Sequence, residues 1–508
     1  MSNRFDFGGV NLRASDESAV ARPTSEMPFC IAILGDFSGR ANRGLAEPKT
    51  IGERRPYLVD RDNFDEVLSK LHPELHLPTA GGNPLVFRFS ELDDFHPDRL
   101  FENGAFQKLK GLHERVQDSS RFAEIAEELG LRHAPAAREY EGPRMSPPSP
   151  VRLASGSLLD EMIEQTESRL ALEPARKTDE VHEFARQLAA KYSVSAPDPR
   201  QPDVVAAVDG AISDTMRVIL HHHDFQALEA LWRALFLLVR QIETGPQLKI
   251  YVIDISKQEL AADLKPSEDL RKSGIFRLLV EKAIDTPGAD PWTVVVGNFK
   301  FGPESEDMEL LAKLAVVARR AGAAFLGEAD PSLLGCSSLE TTPHPRDWNE
   351  SKLHDSWKQL RLRPESASVA LALPRFLLRL PYGRETSAVE SFDFEEFSGP
   401  PSHSGYLWGN PAFAMALLLA QSFSDAGWEM RPGSLSQIDN LPLHTYRIEG
   451  DSQLKPCAEV LLTEESVERI LDRGLIPLVS FKGRDSVRVG RFQSIAEPQR
   501  PLAGRWQA

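Results

Sequence analysis

Three consecutive histidines and an aspartate, His221-His222-His223-Asp224, are the residues that look most like a metal site. Imidazole nitrogens and carboxylate oxygens are common zinc ligands. Adjacent residues of a helix point in different directions, however, so three neighbouring rings cannot converge on one tetrahedral ion without ligands from elsewhere. We interpret this segment as a polar junction between helices, capped by Asp224, rather than as a metal site.

The other candidate groups do not form a catalytic constellation. The segment 35–40, GDFSGR, follows an apolar run but lacks the G-x-x-x-x-G-K-[ST] spacing of a phosphate loop. The adjacent carboxylates Glu395-Glu396 and Asp93-Asp94 are predicted to be solvated loop charges, because acid–base catalysis needs two carboxyls with different pKa values that face one cleft. The sequence therefore predicts no catalytic, cofactor-binding or metal-binding residue, and an enzyme is the least favoured class.

Two arginines indicate a different kind of site. Arg375 and Arg379 flank the apolar residues 376–378, between prolines at positions 374 and 381. The planar guanidinium group is suited to pairing with carboxylates in buried places and at interfaces. We therefore expect buried or interface arginines here, paired with carboxylates on another element.

Composition excludes several classes of protein. The chain has 508 residues, a net charge of −16 and 41% hydrophobic residues. An acidic chain of this kind is not typical of nucleic-acid binders, and no apolar run reaches the roughly 18 residues that a membrane span requires. The three cysteines, Cys30, Cys336 and Cys457, are far apart and do not indicate a disulfide framework, and the start of the sequence has no apolar signal region. We expect a cytoplasmic protein.

The order of apolar patterns predicts an α/β fold with mixed sheets and covering helices. Strands are expected at 29–34, 85–89, 248–255, 292–296, 323–326 and 369–373, with helices at 203–242, 267–283, 306–321 and 411–423. Residues 132–156 are rich in Pro, Ser and Gly, which is typical of a flexible linker. At this length the linker spans roughly 25–30 Å, so the parts on either side of it can dock on each other.

The segment 157–170 predicts an amphipathic helix with a narrow apolar stripe. Leu158, Leu159, Met162 and Ile163 form this stripe, and Ser157 can cap the helix. Two interpretations remain open. The helix either packs on the helices predicted within 106–130 or docks as a peptide in the groove of another protein.

Many segments resemble the contractile sheath proteins of bacterial type VI secretion systems. The part before the linker is similar to the small sheath subunit (TssB, or VipA) in PFCIAILGDFSGR, YLVDRDNFDEVLSKLHPEL and FSELDDFHPDRLFE. The part after it is similar to the large subunit (TssC, or VipB) in SLLDEMIEQTESR, ILHHHDFQALEALWRALFLLV, LKIYVIDISKQELAADL, VVVGNFKFGPESEDMELLAKLA, LALPRFLLRLPYG and YLWGNPAFAMALLLAQSF. The segments occur in the order of the family and together carry the resemblance.

The resemblance implies a fold and a role. Small and large subunits of this family form one sheath protomer, and protomers share strands through extended arms around an inner tube. A AAA+ unfoldase (ClpV) recycles contracted sheath through the N-terminal helix of the large subunit, which Leu158, Leu159, Met162 and Ile163 match. The expected partners are thus other sheath subunits, the inner tube, the baseplate and this unfoldase, in the cytoplasm of a Gram-negative bacterium, with no cofactor.

Three departures from the family pattern lead to further expectations. Two subunits that are normally separate are fused, His223 and Ala234 replace a usual proline and glycine, and the resemblance ends near residue 494, which indicates a shortened large subunit. We expect a small-subunit domain at 1–131, the linker at 132–156, large-subunit N-terminal helices at 157–200 and an α/β domain at 201–508. The expected function is that of a structural sheath component or a sheath-like accessory. The alternative is a non-polymerising adaptor for the unfoldase or the baseplate.

Overall fold

A computed structural model describes residues 23–78, 84–128, 198–265, 269–284, 289–349 and 355–507. The chain divides into two compact units, of which the first contains residues 1–107 and 211–508 and the second contains residues 108–210. The first unit is built around a large sheet, and the second is helical where it is described. Each unit is considered separately below.

Nine strands of the first unit form one mixed sheet. In spatial order they are β11 (Gln437–Ile438), β15 (Val487–Val489), β14 (Ile476–Ser480), β8 (Val369–Leu373), β7 (Ala324–Ala329), β6 (Trp292–Phe301), β1 (Phe29–Gly35), β5 (Leu248–Asp254) and β2 (Tyr57–Val59). The six strands from β14 to β5 run parallel, whereas β2 is antiparallel to β5 and β15 is antiparallel to β14. The mixed sheet confirms the predicted α/β class.

Three short pairs of strands accompany this sheet. They are β3 (Glu74–Leu77) with β4 (Leu85–Arg88), β9 (Phe376–Leu377) with β10 (Trp408–Gly409), and β12 (His444–Ile448) with β13 (Asp451–Lys455). All three pairs are antiparallel.

The described helices complete the fold. They are α1 (Phe64–Leu71), α2 (Pro97–Phe101), α3 (Gln107–Gln117), α4 (Phe122–Glu128), α5 (Gln201–Leu220), α6 (His223–Gln241), α7 (Lys257–Leu264), α8 (Gly274–Phe276), α9 (Lys282–Ile284), α10 (Ser305–Ala321), α11 (Asp355–Arg361), α12 (Pro411–Ala426) and α13 (Glu464–Asp472). A π-helical turn, Arg277–Glu281, joins α8 to α9.

The sheet is covered on both faces, which explains its continuous apolar strands. All seven residues of β1 are buried, as expected for a parallel strand with helices on both sides. On one face Cys30 and Ala32 belong to the same apolar cluster as Met308 of α10. On the opposite face the ring of Phe29 lies 4.9 Å from that of Phe423 in α12. The predicted strand 29–34 is therefore buried between helices on both faces of the sheet of the first unit.

The helix ends show which local predictions were correct. Asn410 caps α12 as its sequence predicts, because its side chain accepts the amide of Ala412 at 2.9 Å. The prediction of a cap by Asp224 is wrong, since His222 accepts the amide of Asp224 and is itself the N-cap of α6. The helix predicted at 267–283 is also wrong in its start, because Ser273 caps a helix that begins at Gly274.

The second unit is described as a small group of helices, α3, α4 and the first part of α5. The side chain of Gln201 donates to the carbonyl of Val116 at 2.9 Å, and Nε2 of His113 lies 3.0 Å from a carboxylate oxygen of Asp209. These contacts tie α5 to α3 within the unit. The helix predicted at 157–170 lies outside the described residues.

Candidate functional site

The N-terminal strand β1 lies between two strands that come more than 200 residues later in the chain. Ile31 is in register with Ile250 of β5 on one side and with Val294 of β6 on the other. A strand in this position takes part in two hydrogen-bonded ladders, so β1 cannot leave without opening the sheet. The segment before the linker and the segment after it therefore build one sheet together.

The loop that follows β1 is tied to the later segment by a buried carboxylate. Glu259, in α7, has a side chain with no solvent exposure and accepts from Arg54 Nη2 at 2.6 Å and from Arg40 Nε at 3.1 Å. It also accepts the backbone amides of Glu47 and Ser256, at 2.9 and 3.1 Å. Burial alone would raise the pKa of Glu259, but the hydrogen bonds from Arg54 and the two amides outweigh it and lower the pKa to about 2.

A second set of contacts connects the same two segments at the carboxyl ends of β1 and β5. The Ser38 hydroxyl donates to Asp254 at 2.7 Å, and Trp232 of α6 donates from its indole nitrogen to the carbonyl of Phe37 at 3.0 Å. Burial raises the pKa of Asp254 to about 6.

The GDFSGR segment serves as a structural turn, because Asp36 accepts the amides of Arg40 and Ala41 at 2.6 and 2.8 Å. We name the contacts of residues 36–54 with residues 224–259 the segment joint.

Arg379 is the centre of a buried ionic network. Its guanidinium group donates to Glu229 of α6 at 2.8 Å and to Glu396 at 2.7 Å, and the side chains of both glutamates are fully buried. Arg233 binds Glu229 at 2.7 Å and the hydroxyl of Tyr382 at 3.0 Å. The network links α6 to the two loops that contain residues 378–382 and 390–397.

Electrostatics within this network keep Glu396 ionised and Tyr382 neutral. Burial would raise the pKa of Glu396, but the charge of Arg379 and the nearby ring of His221 outweigh it and lower the pKa to about 2. The prediction of Glu396 as a solvated loop charge is therefore wrong. Burial raises the pKa of Tyr382 to about 12, so this hydroxyl remains protonated.

Arg375 forms a separate ion pair. Its guanidinium Nη2 lies 2.6 Å from an oxygen of Glu459, and its backbone amide donates to the second oxygen of the same carboxylate at 2.8 Å. His403 lies 3.1 Å from Glu459 as well. Both arginines singled out in the sequence thus bind carboxylates of other elements. Their role at an interface between subunits remains a prediction.

Three groups of the histidine segment lie close together, but two of them already have other hydrogen-bond partners. Ligand atoms of His222, His223 and Asp224 lie within 4.8 Å of one another. Nδ1 of His222 accepts a backbone amide, however, and Asp224 accepts from the Asn42 side chain at 2.9 Å. His221 instead faces Glu396, at 3.5 Å. Two of the three neighbouring groups are therefore engaged in holding the helix junction and the segment joint.

The predicted docking stripe and the predicted absence of a membrane span are the remaining expectations from the sequence. Leu158, Leu159, Met162 and Ile163, the predicted docking stripe, lie outside the described residues. In the part of the chain that the structure describes, none of the helices combines the length and the apolar character needed to cross a bilayer.

Comparison with known proteins identifies the two segments that meet in the sheet. A sequence model of the VipB family, described as EvpB/VC_A0108, tail sheath N-terminal domain, matches residues 202–496. A second model, described as type VI secretion system, VipA, VC_A0107 or Hcp2, matches residues 9–122. The type VI secretion system sheath protein TssC1 of Pseudomonas aeruginosa is 33% identical over 351 residues, which are 67% of this chain and 70% of the relative. The chain belongs to the type VI secretion sheath family.

The segment joint connects the two parts of this sheath protein. Arg40 and Arg54 lie in the VipA (TssB) segment, and Glu259 lies in the VipB (TssC) segment. Strand β1 comes from the former segment, whereas both of its neighbours come from the latter. One fused chain thus contains both segments, and they share a single sheet.

Sequence reasoning missed two residues that hold these contacts, Glu229 and Glu259. Glu259 carried a signal, because Ser256 and Glu259 form the S-x-x-E pattern of a capping box, which the structure contains. Glu229 carried none, since one acidic residue in an amphipathic helix is typical of its solvated face.

Proposed function

We propose that this chain is a structural component of the type VI contractile sheath that supplies the small-subunit and large-subunit segments of one protomer. The observation that supports the proposal is the position of β1, from the VipA segment, between β5 and β6 of the VipB segment. A chain that already joins the two segments needs no separate partner to complete this sheet. It acts by assembly, without a chemical reaction.

Strand sharing at the sheet edges is the proposed mode of assembly. The described sheet ends at β2 on one side and at β11 on the other, and each of these strands has one neighbour. In β2 the side chain of Leu58 is 46% exposed, an unusual position for a large apolar residue at an edge. An extended arm of another sheath subunit can add to such an edge through backbone hydrogen bonds.

The wider set of partners follows from the family. We propose that ordinary sheath subunits bind along the edges, and that the inner tube and the baseplate contact the assembled form. The stripe of Leu158, Leu159, Met162 and Ile163 is proposed as the docking peptide for a AAA+ unfoldase of the ClpV type. An adaptor that binds this unfoldase or the baseplate without polymerising is the alternative.

Electron microscopy and sedimentation of the purified chain test the proposal. The unaltered chain and two variants are each analysed alone and mixed with an ordinary sheath pair. The test variant L58K places a charge on the β2 edge, and the control E385Q changes an exposed loop residue. We expect the unaltered chain and E385Q to enter tubes or sheath fragments and L58K to do so much less. A chain that binds the unfoldase but remains unassembled in every mixture would support the adaptor instead.

A further inference from the structure

A cavity lies at the carboxyl ends of β6, β7 and β8, away from the segment joint. Its volume is about 170 Å³, and its wall includes Lys300, Glu328, Asp330, Arg375, His403 and Glu459. In open parallel sheets this edge is where ligands commonly bind, because the loops that leave the strands diverge there. The position alone identifies no ligand, but one charged group in the wall lacks a partner, and this group indicates what the cavity binds.

Most charges in the wall of the cavity are compensated. Nζ of Lys300 lies 2.8 Å from Asp330, and Arg375 lies 2.6 Å from Glu459. Nε2 of His403 also contacts Glu459, at 3.1 Å. Each of these side chains therefore has its counter-ion within the protein.

Glu328 is the exception. It lies in β7, only 9% of its surface is exposed, and among the described residues no hydrogen-bond donor or ion-pair partner contacts its carboxylate. An ionised carboxylate in this position is costly, because it loses much of its hydration and the charges of Arg375 and Lys300 offset that loss only in part. A group of opposite charge placed in the cavity would remove this cost.

We propose that the cavity binds one alkylammonium or guanidinium cation, with the carboxylate of Glu328 as its counter-ion. Such a group offers several N–H donors, and the cavity is large enough for a group of this size but not for a nucleotide. An anion is disfavoured, because Lys300 and Arg375 are already paired and Asp330 and Glu459 would repel it. The proposal does not depend on sheath assembly.

The protonation of Glu328 gives the site a characteristic pH dependence. Burial raises the pKa of Glu328 to about 7, with the charge of Glu459 acting in the same direction and those of Arg375 and Lys300 in the opposite one. The other ionisable groups of the wall are Asp330, Glu340 and His403. Cation binding needs the ionised carboxylate, so affinity should fall by about tenfold between pH 8 and pH 6.

Calorimetric titration of the purified full-length chain with methylguanidinium and ethylammonium tests the proposal. We expect saturable one-to-one binding at millimolar concentration, a loss of at least tenfold in E328Q and no change in E385Q, whose site is an exposed loop residue outside the cavity wall. Because E328Q removes no hydrogen bond, its thermal melting should confirm a folded protein. Absence of saturable binding of both probes, or undiminished binding by folded E328Q, would overturn the proposal.

A second experiment, cosedimentation with the ordinary sheath pair, distinguishes the two sources of such a cation. A free amine or guanidine and a Lys or Arg side chain of a neighbouring sheath subunit have the same chemistry. If E328Q loses both probe binding and cosedimentation with the ordinary sheath pair, the site takes a side chain of the neighbour. If E328Q loses probe binding alone, the site takes a free cation, and the proposed role in sheath assembly is unaffected.

Discussion

Nη2 of Arg54 lies 2.6 Å from the carboxylate of Glu259, although 205 residues separate them. Arg54 belongs to the VipA segment and Glu259 to the VipB segment, so this ion pair joins the two family segments within one chain. Glu259 is fully buried and also accepts from Arg40. It therefore binds two arginines of the loop that follows β1.

Substitution of Glu259 should destabilise the protein strongly. E259Q leaves Arg54 without its counter-ion and Arg40 with Glu47 alone, and breaking a buried ion pair in this way costs about 3–5 kcal/mol. The free energy of unfolding in urea measures the effect. E47Q is the matched control, since Glu47 pairs with the same Arg40 through a side chain that is 61% exposed, and it should cost less than about 1 kcal/mol. Equal effects of the two variants would contradict the role of Glu259.

Arg379 should be equally sensitive, for a different reason. R379M leaves Glu229 and Glu396 as two neighbouring buried carboxylates, and we expect a loss of about 3–5 kcal/mol in the free energy of unfolding. R384M is the control, because the side chains of Arg384 and its partner Asp393 are both largely exposed, and it should cost less than about 1 kcal/mol.

The combined replacement separates charge from packing at the same place. When Glu229, Arg379 and Glu396 are replaced together by apolar residues, the two fully buried carboxylates are gone and the charge that loses its partner is that of Arg233, whose side chain is 21% exposed, so much of the loss in R379M should be recovered. A triple variant that is less stable than R379M would show that the network holds its loops by geometry as well as by charge.

Glu328 should lower stability as the pH rises. Its pKa is raised from 4.5 to about 7 in the folded protein, so the folded state holds a proton that the unfolded state has released, and stability falls from about pH 5 to pH 8. E328Q should remove this decline and exceed the unaltered protein by roughly 3 kcal/mol at pH 8. The comparison between the two proteins is decisive, because His96 and His444, whose pKa values burial lowers, act in the opposite direction in both.

Thermal unfolding across this pH range provides the measurement. In E385Q, which alters an exposed glutamate, the decline should persist unchanged. A constant difference between E328Q and the unaltered protein at all pH values would show that Glu328 titrates near its ordinary pKa.

The docking stripe of residues 158–163 makes a prediction about partners. L159D places a charge in a stripe proposed to enter an apolar groove, so it should abolish capture of the chain by the N-domain of a ClpV-type unfoldase. S168D adds the same charge on the opposite face of the predicted helix and should leave capture unchanged. Equal capture of the unaltered chain and of both variants would contradict the proposed docking role of this stripe.

Much of the fold was predictable because its signals are local. The uninterrupted apolar run at 29–34 indicates a strand buried on both faces, and Asn410 before Pro411 is a typical helix start. The alternation of strands and helices after residue 248 indicates parallel strands joined by helices. Each of these features is fixed by residues a few positions apart.

The joint between the segments was not predictable in the same way. The apolar residues of β1 indicate burial but not which strands lie beside it, because most apolar strands of suitable length can pair with it. Glu396 was predicted to be solvated because the arginine that pairs with it lies 17 residues away, in another loop. Contacts of this kind depend on the tertiary fold, and the local sequence carries little trace of them.

Cleavage of the chain within the predicted linker tests the central claim that the two sheath segments form one sheet. A specific protease site is inserted within residues 132–156, and the cut protein is analysed by gel filtration under native and denaturing conditions. We predict that the two fragments elute together as one folded species and separate only in denaturant, since β1 remains between β5 and β6. Two folded fragments that separate without denaturant would contradict the account.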